Sequence, residues 1–101
     1  MKLSFKKHPK QTGLMRIGNS WQGSDIKANG KRCGTIYPKT WREEHYRVSF
    51  MVKKERTKEA PAPFRNVTLN FKCDTDAEAR AWIKENWQLI IAKYDLYFME
   101  N

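Results

Sequence analysis

Along two stretches of this chain, polar side chains recur at every second residue. Arg47, Ser49 and Lys53, with the apolar Met51 on the same face, alternate with Tyr46, Val48, Phe50 and Val52, and Thr68, Asn70 and Lys72 alternate with Val67, Leu69, Phe71 and Cys73. A period of two is the signature of a strand with one face buried and the other in water. The polar set holds the side chains that reach base edges and phosphates: arginine suits guanine, asparagine suits adenine, and lysine suits phosphate. The plain alternative is an ordinary solvated face of an antiparallel sheet, polar for no further reason.

Charge favours the first reading. Residues 1–58 hold fifteen Lys and Arg against four acids, whereas residues 59–101 hold five against seven, so the whole net charge of +9 and more comes from the first part. Self-repulsion of this size is relieved by a polyanion whose counterions are released on binding, and nucleic acid is the common one. Lys27 and Arg32 add to the candidate set from a hairpin described below. Trp41 and Arg42, adjacent in a charged loop, offer a ring to stack on a base or ribose and a cation beside it. Trp41 would serve equally as a loop residue capping the edge of the core.

Other chemistries find little here. His8 and His45 are the only imidazoles, Cys33 and Cys73 are forty residues apart with no paired cysteine spacing, and Gly-rich phosphate loops, HExxH and acid-rich metal motifs are missing. The chain therefore reads as a non-enzyme with no metal and no cofactor, its cysteines reduced core residues. It shows neither the apolar run of a membrane span nor that of a signal peptide, so the expected compartment is the cytoplasm.

The elements that must hold these residues are legible in outline. A chain of 101 residues with 40% hydrophobic content suits one domain with one core. Residues 1–13 read as a flexible basic arm and residues 14–101 as the folded domain, with a short strand at residues 14–17. Asn29-Gly30 between Ile26-Lys27-Ala28 and Lys31-Arg32-Cys33 predicts a two-residue hairpin of type I′. Unbroken pairing from that turn sets Ala28 opposite Lys31, Lys27 opposite Arg32, Ile26 opposite Cys33 and Ser24 opposite Thr35. Strands follow at residues 46–53 and 66–73, antiparallel and joined by a long proline-containing loop. Thr75-Asp76-Ala77-Glu78 is a capping box. The helix it opens carries Ala79, Trp82, Ile83, Trp87, Ile90, Ile91 and Tyr94 as an apolar stripe, with Trp82 and Trp87 assigned to the core. It should end near Asp95, after which Leu96-Tyr97-Phe98-Met99 packs back as a tail or short edge strand. The fold expected is α+β, an antiparallel sheet of about four strands on one C-terminal helix.

Gly34-Thr35-Ile36-Tyr37, Tyr46-Arg47-Val48-Ser49-Phe50, and Leu69-Asn70-Phe71-Lys72 running into Asp74-Thr75-Asp76-Ala77-Glu78-Ala79-Arg80-Ala81-Trp82 resemble the three-strands-then-helix layout of AP2-like DNA-binding domains, shared by the arm-binding domains of tyrosine recombinases. The resemblance covers residues 32–87. It implies a sheet lying in the DNA major groove and backed by the helix, with Arg32, Arg47, Ser49, Lys53, Asn70 and Lys72 at the interface. The function expected is nucleic-acid binding, to double-stranded DNA before RNA. A rival reading from another class is a small phage-type inhibitor that docks on a host nucleic-acid-processing enzyme.

Overall fold

A computed structural model of the chain describes residues 2–8, 22–40 and 42–99. Five strands form one antiparallel sheet in chain order: β1 (Leu3–Lys7), β2 (Ser24–Ala28), β3 (Lys31–Tyr37), β4 (Tyr46–Lys53) and β5 (Phe64–Cys73). A single helix, α1 (Asp76–Lys93), packs on one side, so the class is α+β with one strand more than four. The added strand is β1, inside the segment expected to be a flexible arm. Leu3 and Phe5 pair with Ala28 and Ile26, and Lys6 with Asp25. Two apolar residues flanked by lysines are too short a run to register as a period, and only the partner strand makes them one. Residues 9–21, including Trp21 and the expected strand at 14–17, lie outside the described residues, as does Trp41.

The Asn29-Gly30 turn is as expected, with φ of 53° and 81°, the left-handed pair that a type I′ hairpin requires. Ala28 faces Lys31 and Lys27 faces Arg32. The next two expected pairs do not form: the register shifts between Ile26 and Lys27, so that Ile26 faces Gly34 and Ser24 faces Ile36. The reason is in β3, where Cys33 and Ile36 are an odd number of residues apart. Unbroken alternation would turn one of them to the far face, and one inserted residue lets both point inward. Both are 0% exposed, and the Cys33 thiol donates to the Ile26 carbonyl at 3.6 Å. Gly34 permits the close approach this demands, since a Cβ there would lie 2.5 Å from the Ser49 carbonyl oxygen.

Thr75 caps α1 as the sequence predicts. Its hydroxyl accepts from the Glu78 amide at 3.1 Å, and the Glu78 carboxylate accepts in return from the Asp74 amide at 3.3 Å. Ala79, Ile83, Trp87 and Ile90 are the buried stripe, while Trp82, Ile91 and Tyr94 are half-buried at its margin. Trp82 is therefore not a full core residue, and Trp87 is. Against the stripe stand Ile26, Ile36, Val48 and Phe50 of the three inner strands.

After α1 the chain turns back, though not to an edge. The Lys53 amide donates to the Asp95 carbonyl and the Tyr97 amide to the Met51 carbonyl, each at 2.8 Å, while the Met99 amide reaches the Arg32 carbonyl at 2.8 Å. Residues 95–99 thus occupy the gap where β3 and β4 separate. Leu96, opposite Val52, points into the core, so Tyr97 points to the far face. There its ring stacks on Phe64 at 5.0 Å. Because the tail and β5 flank β4 on opposite sides, this stack spans β4.

Candidate nucleic-acid interface

The strand register decides which side chains share the face turned away from α1. One row crosses all five strands: Lys6, Asp25, Thr35, Ser49 and Thr68 are successive cross-strand partners. On one side of it lies the pair Lys27 and Arg32, and on the other the row Tyr37, Arg47 and Lys72. Met51 faces Asn66, and Lys53 faces Phe64. A second register shift, between Arg47 and Ser49, inserts two residues of β5. An even insertion keeps the alternation, so Asn66, Thr68, Asn70 and Lys72 all stay on the far face, each of them exposed.

Among the strand positions on this face, the cations are Lys6, Lys27, Arg32, Arg47, Lys53 and Lys72, and the acid is Asp25. Asp25 is already engaged by His8, Nε2 to Oδ1 at 2.8 Å. Lys53 stands apart at the far end of β4 with its ammonium 3.6 Å from the Asp95 carboxylate, an exposed pair of little energetic weight. The strongest grouping is the row of Tyr37, Arg47 and Lys72. The Arg47 guanidinium lies 5.6 Å from the centre of the Tyr37 ring, and Tyr37 is one of two large hydrophobic side chains exposed among the described residues. A cation stacked on an exposed ring beside a second cation offers a base both a π-surface and a hydrogen-bonding fork.

The face is not open throughout. Ser49 is 2% exposed and its hydroxyl has no hydrogen-bond partner; Met51 is 3% exposed. Ser49 was a candidate contact residue, and its burial at the centre of the sheet removes it. Met51 lies beside the Phe64–Tyr97 stack, which crosses β4 and shuts that end of the face. Arg32 is half-buried and donates to the Met99 sulfur at 3.5 Å, so its fork is partly committed. Lys27 is half-buried on β2. Arg42 is exposed in the β3–β4 loop, in a turn where its amide donates to the Thr40 hydroxyl at 3.2 Å. The contacts of Trp41 lie outside the described residues.

Lys6 and Tyr37 stand on this face and were missed by the residue pattern. Lys6 was hidden by reading the first segment as an arm. Tyr37 could have been found, since it continues the alternation from Thr35 and precedes Pro38, which ends the strand.

Neither thiol is set up for chemistry. Burial pushes Cys33 up to about 12, and Cys73 is likewise raised by burial, so both stay protonated near neutral pH. No group of three potential metal ligands occurs among the described residues, and no helix there is long and apolar enough to cross a membrane. Comparison with protein-family models, curated proteins and solved structures finds no match to this chain.

Proposed function

We propose that this protein binds nucleic acid, double-stranded DNA foremost, through the sheet face turned away from α1. The observation that carries the reading is the charge of that face: six cations stand on its strand positions against one acid, and that acid is held by His8. Lys27 with Arg32, and Arg47 with Lys72, are cross-strand partners on strands about 5 Å apart, so each pair can bridge one phosphodiester backbone. Tyr37, Arg47 and Lys72 form the centre of the interface. Lys6, Lys27 and Arg32 extend it across β1–β3, and Arg42 adds a cation from the loop. Asn70 supplies an amide able to read a base edge. This is also the face that the AP2-like resemblance implies would meet DNA, without the buried Ser49.

Fluorescence anisotropy with a labelled duplex, a single strand and an RNA hairpin tests this. If all six cations meet phosphates, the slope of log K against log salt for the duplex approaches about −5, a loss of about a thousandfold between 50 and 200 mM salt. Duplex binding tighter than that of the other two, with a steep salt slope, is the expected result. No binding to any of the three, or binding indifferent to salt, defeats the proposal.

A further inference from the structure

On the helix side of the sheet, an open groove of about 320 Å3 runs between β5 and α1. Leu69 and Phe71 form its strand wall, and Trp82, Leu89 and Ile90 its helix wall. Leu89 is 69% exposed, the other large hydrophobic side chain besides Tyr37 to be exposed among the described residues. Together with the half-buried Leu69, Phe71 and Trp82 it makes a contiguous apolar groove, the kind of surface on which a partner can dock.

A second, independent feature runs alongside. β5 is an edge strand, and the ladder fixes where its amides point. The Lys54 amide donates to the Pro63 carbonyl at 3.0 Å, and hydrogen-bonded pairs alternate from there. Arg65 and Val67 therefore bond inward to β4, leaving the amides of Asn66 and Thr68 aimed outward. Free backbone donors beside an apolar groove are what an added strand requires.

The charge pattern selects the occupant. β5 carries Arg65 and Lys72 and no acid, and the one charged residue lining the groove is Lys93, its ammonium 5.4 Å from the centre of the Tyr94 ring. A second copy of this chain would bring the same cations to the same edge, and its net charge of +9 opposes the approach. We propose that β5 accepts an extended segment of a partner protein as a sixth strand, one in which apolar and acidic residues alternate. Its apolar side chains, about 7 Å apart at every second residue, lie along Leu69 and Phe71 toward Leu89. Its acidic side chains fall on the opposite face, beside Asn70 and Lys72. The groove lies on the other side of the sheet from the nucleic-acid face, and the two sites meet on β5 at Asn70 and Lys72.

The test uses the full chain and a fluorescein-labelled peptide of alternating leucine and aspartate, followed by anisotropy. The wild type binds it, Leu89→Asp in the groove lowers affinity by at least about tenfold, and Lys72→Glu, on the face that meets the acidic side chains, lowers it by at least about threefold. A peptide N-methylated on the amides that face β5 binds at least about tenfold more weakly, because strand addition uses those amides. A peptide of alternating leucine and lysine does not bind. The proposal is overturned if the wild type ignores the leucine–aspartate peptide, if the lysine peptide binds equally, or if N-methylation changes nothing. It is also overturned if the wild type sediments as a dimer that Leu89→Asp dissociates, which would make the occupant a second copy.

Discussion

The rings of Phe71 and Trp82 stack with centroids 4.3 Å apart and planes 13° apart, tying edge strand β5 to the flank of α1. Trp87 lies deeper, 6% exposed and 6.4 Å from Phe50. Trp87→Ala should cost about 3–5 kcal/mol, as large aromatics in cores do, and Trp82→Ala about half that, because solvent already reaches the ring. Urea unfolding of the two variants checks the order. A larger loss for Trp82→Ala would mean that the stack on β5, not the stripe above Phe50, holds the helix.

The two cysteines and Tyr46 give stability a dependence on alkaline pH. Burial raises the Cys33 thiol to about 12 and raises Cys73; burial first and the Asp76 charge second raise Tyr46. In each case the folded state holds its proton more tightly than the unfolded chain. Stability is therefore complete below the unfolded thiol value of about 8.5 and falls as pH rises toward 12, by up to about 1.4 kcal/mol per pH unit for Cys33 alone. Unfolding midpoints at about pH 8 and about pH 10 should differ in the wild type, and Cys33→Ala should narrow the difference. A wild-type midpoint unchanged over that range would contradict the burial of these groups.

What the sequence could and could not show follows from the range of each signal. The Asn29-Gly30 turn, the strands at β4 and β5, and the Thr75 cap depend on residues within a few positions of one another, and each was legible. Features set by distant partners were not. β1 becomes a strand only by pairing Leu3 and Phe5 with β2, and the bulge at Cys33 is needed only because Ile36 must face the same core. The tail enters the sheet because β3 and β4 separate there, and Tyr97 then stacks on Phe64 across β4. For the candidate site, alternation found Arg47, Asn70 and Lys72, but it could not reveal that Ser49 and Met51 on the same face are buried.

The cap offers a test of which side of the sheet does the binding. Thr75→Ala removes the acceptor of the Glu78 amide and should cost about 0.5–2 kcal/mol. Thermal stability should fall while nucleic-acid affinity stays unchanged, because Thr75 opens the helix on the opposite side. Affinity lost with the fold intact would place the ligand on the helix instead.

β1 changes how the N-terminal charges must be examined. Deleting residues 1–10 would strip the sheet of an edge strand along with Lys2, Lys6, Lys7 and Lys10. Lys6→Gln, at an exposed position of β1 on the far face opposite Asp25, removes the charge and leaves the pairing in place. It should weaken duplex binding several-fold and reduce the salt slope by about 1. Binding and slope equal to the wild type would confine the interface to β3–β5.

Arg47 and Lys72 are cross-strand partners at the centre of the proposed interface, and their joint charge reversal probes it most directly. Arg47→Glu with Lys72→Glu removes two cations and adds two repulsive charges on the face away from the core, and circular dichroism and a thermal melt should show the fold retained. Anisotropy with the labelled duplex at two salt concentrations is the measurement. Affinity should fall at least about tenfold, with the log K against log salt slope flattened by about 2. A folded double variant that binds the duplex as tightly as the wild type, with the same slope, would contradict the assignment of this sheet face to nucleic acid.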